Sequence, residues 1–264
     1  MTNRLKNKCA LVLGAAPGNV GAAIARKYVE AGAAVVVAGR RTEATAEVAE
    51  DIGAHPLICD ITNSDQVAAL VTNAVKHLGG LDIGVNATGW GLLKPFLDTT
   101  REDLDAMCDI QFSGPFQFYQ ALVRAMQAKG GSIINISSVT ATIMMDNHAA
   151  YMGTKAGMDH VIRTIANEFG SAGIRANSIA PGGVADTPMS GGGLHVPAVW
   201  KLYEREIPLG RPGVAADVAD VALWLASDDA KFITGQILHV SGGQTLRRNP
   251  SLNEVYAAFQ ALKT

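Results

Sequence analysis

Cysteine is scarce in this chain. Its three copies in 264 residues, Cys9, Cys59 and Cys108, stand far apart, with no Cys-x-x-Cys pair. That pattern excludes a disulfide framework and a thiolate zinc site, and their apolar surroundings predict buried, reduced thiols. His77 and His195 have no neighbours at metal-ligand spacing, so no resident metal is expected. Charge of one sign is also lacking. With 22 Lys and Arg against 24 Asp and Glu, the formal net charge is −2, too little basic excess for a nucleic-acid partner. No uninterrupted apolar run reaches the roughly 18 residues of a membrane helix, and the run after the polar start is too short for a signal segment. A soluble, cytoplasmic protein is expected, with no membrane partner. Repeats, low-complexity tracts and an interdomain linker are absent as well. What is present is a composition 48% hydrophobic, ample for one core, so residues 1–264 read as a single domain.

Short apolar runs alternate with longer helical patterns. Residues 9–13, 33–38, 56–59, 81–86, 132–137, 175–180 and 236–240 read as strands. Several are apolar at successive positions, the mark of strands covered on both faces. Between them Val20, Ile24 and Tyr28 recur at helical spacing, and Val161, Ile162, Ile165, Ala166 and Phe169 form a stripe. Thr99-x-x-Glu102 has the form of a capping box. This alternation predicts an α/β protein: a doubly wound parallel sheet with right-handed crossovers and helices on both faces.

Chemistry is carried by a few spaced residues. Tyr151 and Lys155 lie four apart on a helix opening at Ala149, hence on one face. A nearby positive charge favours a phenolate and lowers the tyrosine pKa from about 10, which would let Tyr151 exchange a proton with a carbonyl or alcohol oxygen. Ser138, at the end of the strand before, can face the same space. Earlier, the first strand runs into Gly14-Ala15-Ala16-Pro17-Gly18-Asn19-Val20-Gly21 and then a helix. Glycines there let the backbone turn tightly and approach a pyrophosphate, whose charge the helix N-terminus meets. At the end of the second strand stand Arg40 and Arg41 with no acid beside them. Guanidinium suits a ribose 2′-phosphate where a carboxylate would suit a hydroxyl, so NADP(H) is favoured over NAD(H).

The glycine turn, Asp60 after the third strand, Asn86-Ala87-Thr88-Gly89, Ser138, Tyr151 with Lys155, and Pro181-Gly182 follow one another in a distinctive order. Over roughly residues 5–244 the chain resembles the short-chain dehydrogenase/reductase family. The resemblance implies a Rossmann-like fold with a seven-stranded sheet, a nicotinamide cofactor and, usually, a homotetramer. It makes Tyr151 the acid/base. Lys155 would bind the nicotinamide ribose and lower the tyrosine pKa, and Ser138 would orient the substrate. Asp60 and Ile61 would flank the adenine, Asn86 and Ala87 the adjacent ribose, and Val184 and Thr187 the carboxamide. Pro181 would belong to the same cofactor-binding set.

Four departures stand out. One extra residue separates Gly18 from Gly21, and Leu13 replaces the family's threonine. The stretch between Pro181-Gly182 and Thr187 is one residue longer than usual. Gln111 replaces the asparagine whose main-chain carbonyl, in the family, holds a proton-relaying water. Gln111 falls on the stripe Leu104, Met107/Cys108, Pro115, Phe118, so it is expected to point inward; two readings follow, the favoured one with the backbone water site kept, the other with the longer amide filling that site and slowing the relay. On the substrate side, Trp90, Ile143, Met144, Met145, His148 and Met189, with Leu194, Trp200 and Tyr203 further on, suit a bulky apolar substrate or ordinary packing. His148 reads equally as a substrate contact or a surface histidine. Ser190 and the three glycines after it suggest a lid or a flexible loop. Residues 247–264 form an amphipathic extension that packs on the body or on a neighbouring subunit. The expected activity is hydride transfer between nicotinamide and a carbonyl or secondary alcohol, as a reductase. Reduction of an activated C=C bond is disfavoured by the four-residue Tyr–Lys spacing. An NADP-binding regulatory or structural subunit with little turnover is the alternative from another class.

Overall fold

The computed structural model describes residues 3–190, 194 and 196–261. Gly191, Gly192 and Gly193 of the expected lid, His195, and the tail from residue 262 lie outside the described residues.

Strand β1 (Cys9–Leu13) shows why successive positions are apolar. Ala10 and Val12 join one hydrophobic cluster and Leu11 and Leu13 the other, on opposite faces of the sheet. β2 (Ala34–Gly39) repeats the arrangement, with Val35 and Val37 on the first side and Val36 and Ala38 on the second. The remaining strands are β3 (His55–Ile58), β4 (Ile83–Asn86), β5 (Gly131–Ile136), β6 (Ile174–Pro181) and β7 (Ile237–Val240). All seven pair in parallel in the order β3-β2-β1-β4-β5-β6-β7. The fold is Rossmann-like. Element ends differ from the sequence reading by up to two residues, as at β4, which starts at Ile83 although Asp82 already bonds Cys9 O and Ser132 N.

The first cluster is roofed by α1 (Val20–Glu30), α2 (Thr42–Ile52) and α8 (Ala215–Ala226); the second by α3 (Ser64–Leu78), α5 (Gly114–Met126) and α6 (Ala149–Phe169). Tyr28 in α1 is fully buried, and its hydroxyl donates to Ala222 O in α8 at 3.0 Å. Helix α4 (Arg101–Cys108) passes into a π-helical turn, Asp109–Ser113, before α5 begins. Helices α7 (Pro197–Glu206) and α9 (Leu252–Gln260) pack on each other beside the C-terminal edge of the sheet, so the extension lies on the body of its own chain.

Two local expectations are corrected. The capping box of α4 is Thr100 with Asp103, one residue after the expected pair; both spacings fit the pattern, and the chain entry chose the second. Cys108 is exposed, Cys9 half-buried and only Cys59 buried. On α4 it is Met107 that turns inward, leaving Leu104 and Cys108 outside. No helix among the described residues is long and apolar enough to cross a membrane.

Candidate active site

Strand order reverses between β1 and β4, and the loops following them part to leave a crevice at the C-terminal edge of the sheet. Two cavities open there, of about 560 and 370 Å³. They share Asn19, Ala87, Thr88, Gly89 and Met189, and so form one continuous cleft.

The glycine turn forms its floor. Gly14 has φ +95, and a Cβ there would lie 2.6 Å from Ala87 C and Thr88 N. Asn19 N–H bonds Ala16 O at 3.1 Å across Pro17 and Gly18, with Gly18 at φ +71. Proline second and a positive-φ glycine third is the pattern of a type II turn, and it absorbs the extra residue. Asn19 then ties the turn to α1. Its Oδ1 accepts from Ala22 N at 2.9 Å and Ala16 N at 3.1 Å, and its Nδ2 donates to Gly14 O at 2.8 Å. Gly21 lets α1 approach, since a Cβ there would meet Gly14 O at 2.5 Å. The N-terminus of α1, capped by Asn19, thus opens onto the cleft, a shape that fits a dinucleotide.

At the far end of the larger cavity stand Arg40, Arg41, Asp60 and Ile61. Thr62 donates to Asp60 from both backbone and hydroxyl and holds that carboxyl below its usual range. Ala87 lines both cavities. Asn86 lines neither; its Oδ1 accepts from Thr88 N at 3.1 Å and Thr88 Oγ1 at 2.7 Å, and so shapes the loop from behind. Val20, Pro181, Val184 and Thr187 line the smaller cavity. The longer stretch after Gly182 is pinned to the body, with Val184 bridging to Gly213 and Asp186 accepting from Ala215 N at 2.8 Å.

Ser138, Tyr151 and Lys155 meet in the smaller cavity. Ser138 follows β5, and Thr140 fixes it: the two hydroxyls lie 2.9 Å apart and Thr140 N donates to Ser138 Oγ at 3.2 Å. Lys155 donates to Ile136 O at 2.8 Å, which anchors its ammonium to the same strand end. It sits 5.6 Å from the Tyr151 ring centroid, over the ring face. Burial, not the neighbouring charge, dominates the phenol. Tyr151 is pushed up to about 12, and the neighbouring Ser138 hydroxyl opposes that rise. Lys155 is itself pushed down to about 8 by burial, with Asp159 opposing. The expected lowering of the tyrosine therefore does not arise, because two desolvated groups face one another.

Gln111 lies in the π-helical turn and is buried as expected. Its Nε2 donates to Met107 Sδ at 2.6 Å and Thr154 Oγ1 at 3.2 Å, while Oε1 has no hydrogen-bond partner. A Cβ at Gly89 would stand 3.4 Å from that oxygen and 3.7 Å from Lys155 Nζ, so the amide faces the lysine side of the cleft.

Three further contributors complete the site; the sequence raised the first, leaving it open between substrate contact and surface, and missed Gln244 and Asn249. His148 is buried and stacks on Tyr151 at 4.3 Å between centroids, with Nδ1 2.8 Å from Leu92 O. Burial lowers its pKa, so the ring is held neutral. Fully buried Gln244 accepts from Gly183 N at 3.1 Å and donates to Asn249 Oδ1 at 2.7 Å. Asn249, in turn, donates to Met144 O at 3.1 Å and lines the smaller cavity. The start of the C-terminal extension is therefore a wall of the site. No motif announces partners separated by 61 and 105 positions. Of the expected substrate-side residues, Met145, His148, Met189, Leu194 and Tyr203 line this cavity and Trp90 the larger one. Trp200 packs between α7 and α9.

The family model described as enoyl-(acyl carrier protein) reductase matches residues 14–245. A solved short-chain type dehydrogenase/reductase from Mycobacterium ulcerans superposes with a TM-score of 0.90 at 30% identity, covering 95% of this chain and 93% of its own. The chain is a short-chain dehydrogenase/reductase. The glucose 1-dehydrogenase of Gluconobacter oxydans is 34% identical over 92% of this chain and 94% of its own. For the D-threitol dehydrogenase of Mycolicibacterium smegmatis the identity is 36% over 92% and 95%, and for the 7alpha-hydroxysteroid dehydrogenase of Escherichia coli it is 34% over 91% and 95%. Membership makes this chain an oxidoreductase of CH–OH and C=O groups that uses a nicotinamide cofactor. The relatives' names span a sugar, a polyol and a steroid, so they do not agree on a substrate.

Proposed function

We propose that this short-chain dehydrogenase/reductase uses NADP(H) and works as a reductase on a carbonyl of an apolar substrate. The observation that carries the reading is the pair Arg40 and Arg41 lining the end of the cleft remote from Tyr151, where guanidinium matches a 2′-phosphate. Met145, Met189, Leu194 and Tyr203 on the substrate side support an apolar substrate.

When bound, the nicotinamide supplies or accepts the hydride. Tyr151 holds the proton: with its phenol pushed up to about 12 it stays protonated at neutral pH and donates to the substrate oxygen as charge develops there. Ser138, beside Tyr151 in the same cavity and set by Thr140, stabilises that charge with its hydroxyl. Lys155 keeps a positive charge over the ring face and would hold the nicotinamide ribose. His148 excludes water from one face of the phenol. An assembled Ser138–Tyr151–Lys155 set favours turnover over a purely structural subunit. The four-residue spacing favours C=O over C=C reduction, although the matching family model is described by an enoyl reductase.

The test is a titration of NADPH against NADH on wild type and on the Arg40→Ala/Arg41→Ala double variant. Wild type is expected to prefer NADPH by roughly tenfold or more, the scale of one charge-assisted contact, and the variant to lose that preference with NADH affinity unchanged. Equal affinities in wild type would make the arginines surface residues and remove the NADP assignment. The reading also carries a homotetramer, supported by the exposed Phe96, Leu97, Phe232 and Leu246. Light scattering at the mass of one chain would overturn it.

A further inference from the structure

Tyr151, Lys155, Asp159 and Arg163 recur every four residues along α6, and so follow one another down one side of the helix, each step advancing about 40°. The chemistry above uses the first two. Asp159 has no place in it, yet it is only 5% exposed. A carboxylate removed from water carries a heavy desolvation cost unless something in the interior answers its charge. What answers it here is specific. Ser137 Oγ, on the residue before Ser138, donates to Asp159 Oδ2 at 2.7 Å. Oδ1 is buried and has no hydrogen-bond partner of ordinary geometry.

The surrounding groups come from every element packed against it. From its own helix, Lys155 and Arg163 bring positive charge; from β6, the Ser178 hydroxyl acts on it; from α5, the buried Tyr119 phenol feels it. Ser178 is held in turn by Asn135 Nδ2 at 3.1 Å, and Asn135 by the Tyr119 hydroxyl at 2.8 Å. Burial raises the Asp159 pKa, and the two serines and two cations oppose it. Seen from Lys155, burial lowers its pKa and the Asp159 carboxylate opposes that fall; among the described residues no carboxylate lies within ion-pair distance of Lys155. The lysine head is fixed by Ile136 O, and the carboxylate by Ser137, the next residue of the same strand end.

We propose that Asp159 is a positioning residue of the reaction: its buried carboxylate, held by Ser137 one turn beyond Lys155, keeps the Lys155 ammonium charged and aligned over the Tyr151 ring. The inference rests on the proposed reading of Tyr151 and Lys155. Asp159 touches neither substrate nor cofactor, and acts through the lysine. Without it the lysine gives up its proton at lower pH, and the support for the developing charge is lost from the basic side.

The experiment compares wild type with Asp159→Asn, which keeps the shape and can still accept from Ser137, and with Asp159→Glu, which keeps the charge. Carbonyl reduction and NADPH affinity are each measured from acid to alkaline pH. In wild type both are expected to fall as Lys155 loses its proton. In Asp159→Asn that limb should move to lower pH by about one unit, a roughly tenfold deficit above it, and in Asp159→Glu it should stay near its wild-type position. A limb unmoved in Asp159→Asn overturns the proposal; so does an equal loss at every pH with a lowered Tm, which would make Asp159 a structural group only. Should Asp159→Asn fail to fold, Ser137→Ala decides alone: removing the donor should move the limb the same way, and an unmoved limb overturns the idea. If wild type turns over no carbonyl at all, the reading of the active site fails by itself, while the NADPH affinity profile still reports the lysine's charge.

Discussion

Replacing Tyr151 with phenylalanine is expected to lower carbonyl reduction by roughly 10²- to 10⁴-fold, the usual contribution of a positioned proton donor. Cofactor affinity and Tm should stay near wild type. The reason lies in what the substitution leaves behind. The ring keeps its stack on His148 and its place under the Lys155 ammonium. The hydroxyl it removes lies in the same cavity as Ser138 and carries the proton. The fall should therefore appear in kcat, with KM little changed. The direction of the pKa shifts adds a sign. Reduction needs Tyr151 protonated and Lys155 charged; rising pH removes the lysine proton near 8, long before the phenol near 12. Reduction by wild type is accordingly expected to fade through mildly alkaline pH, and oxidation of an alcohol to fade less, since there Tyr151 must accept a proton. A Tyr151→Phe enzyme with wild-type kcat would remove Tyr151 from the chemistry.

Gly14→Ala is expected to be nearly as damaging, for steric reasons. At φ +95 an alanine is strained, on the order of 1–3 kcal/mol. Its Cβ would also stand 2.6 Å from two backbone atoms of the Ala87-Thr88 loop, which cannot swing aside as a side chain would. Either β1 and β4 part at their ends or the glycine turn lifts, and both deform the floor of the cleft. The expected outcome is a Tm lower by several degrees and cofactor affinity reduced at least about tenfold. Gly18→Ala provides the contrast. Its φ is +71, but a Cβ there meets nothing within 4 Å, so only the backbone cost of about 1–2 kcal/mol applies. Equal Tm and equal cofactor affinity in the two variants would show that the close approach of Gly14 to the neighbouring loop is not what shapes the cleft.

Some of this was legible before any coordinates. The doubly wound sheet follows from strands apolar on both sides, as at Val35 to Ala38, alternating with helical stripes. Tyr151 and Lys155 share a helix face by their spacing alone, and the glycine turn was recognisable at the first strand–helix junction. Other readings failed at the level where two local patterns compete. Thr99 and Thr100 each head a capping sequence, and the tie is broken by where the chain enters α4. Cys108 looked like a core residue because Leu104, Cys108 and Gln111 share a plausible stripe. Met107 faces inward instead, and the π-helical turn that follows carries Gln111 in beside it.

The amino-acid sequence by itself determined the order of elements, the face most helices bury (α4 excepted) and the residue types that reach the cleft, since those depend on periodicity and on turn chemistry a few residues long. Only the tertiary structure decided how the reacting groups are tuned and walled in. Tyr151 is driven up and Lys155 down by burial, His148 is drawn from a possible surface site onto the phenol, and Asn249 is brought to Met144 across 105 positions. Asp159 comes to rest against Ser137 in the interior. Desolvation sums over everything packed around a group, whatever its distance along the chain, and that sum exists only once the sheet and its two layers of helices have closed over it.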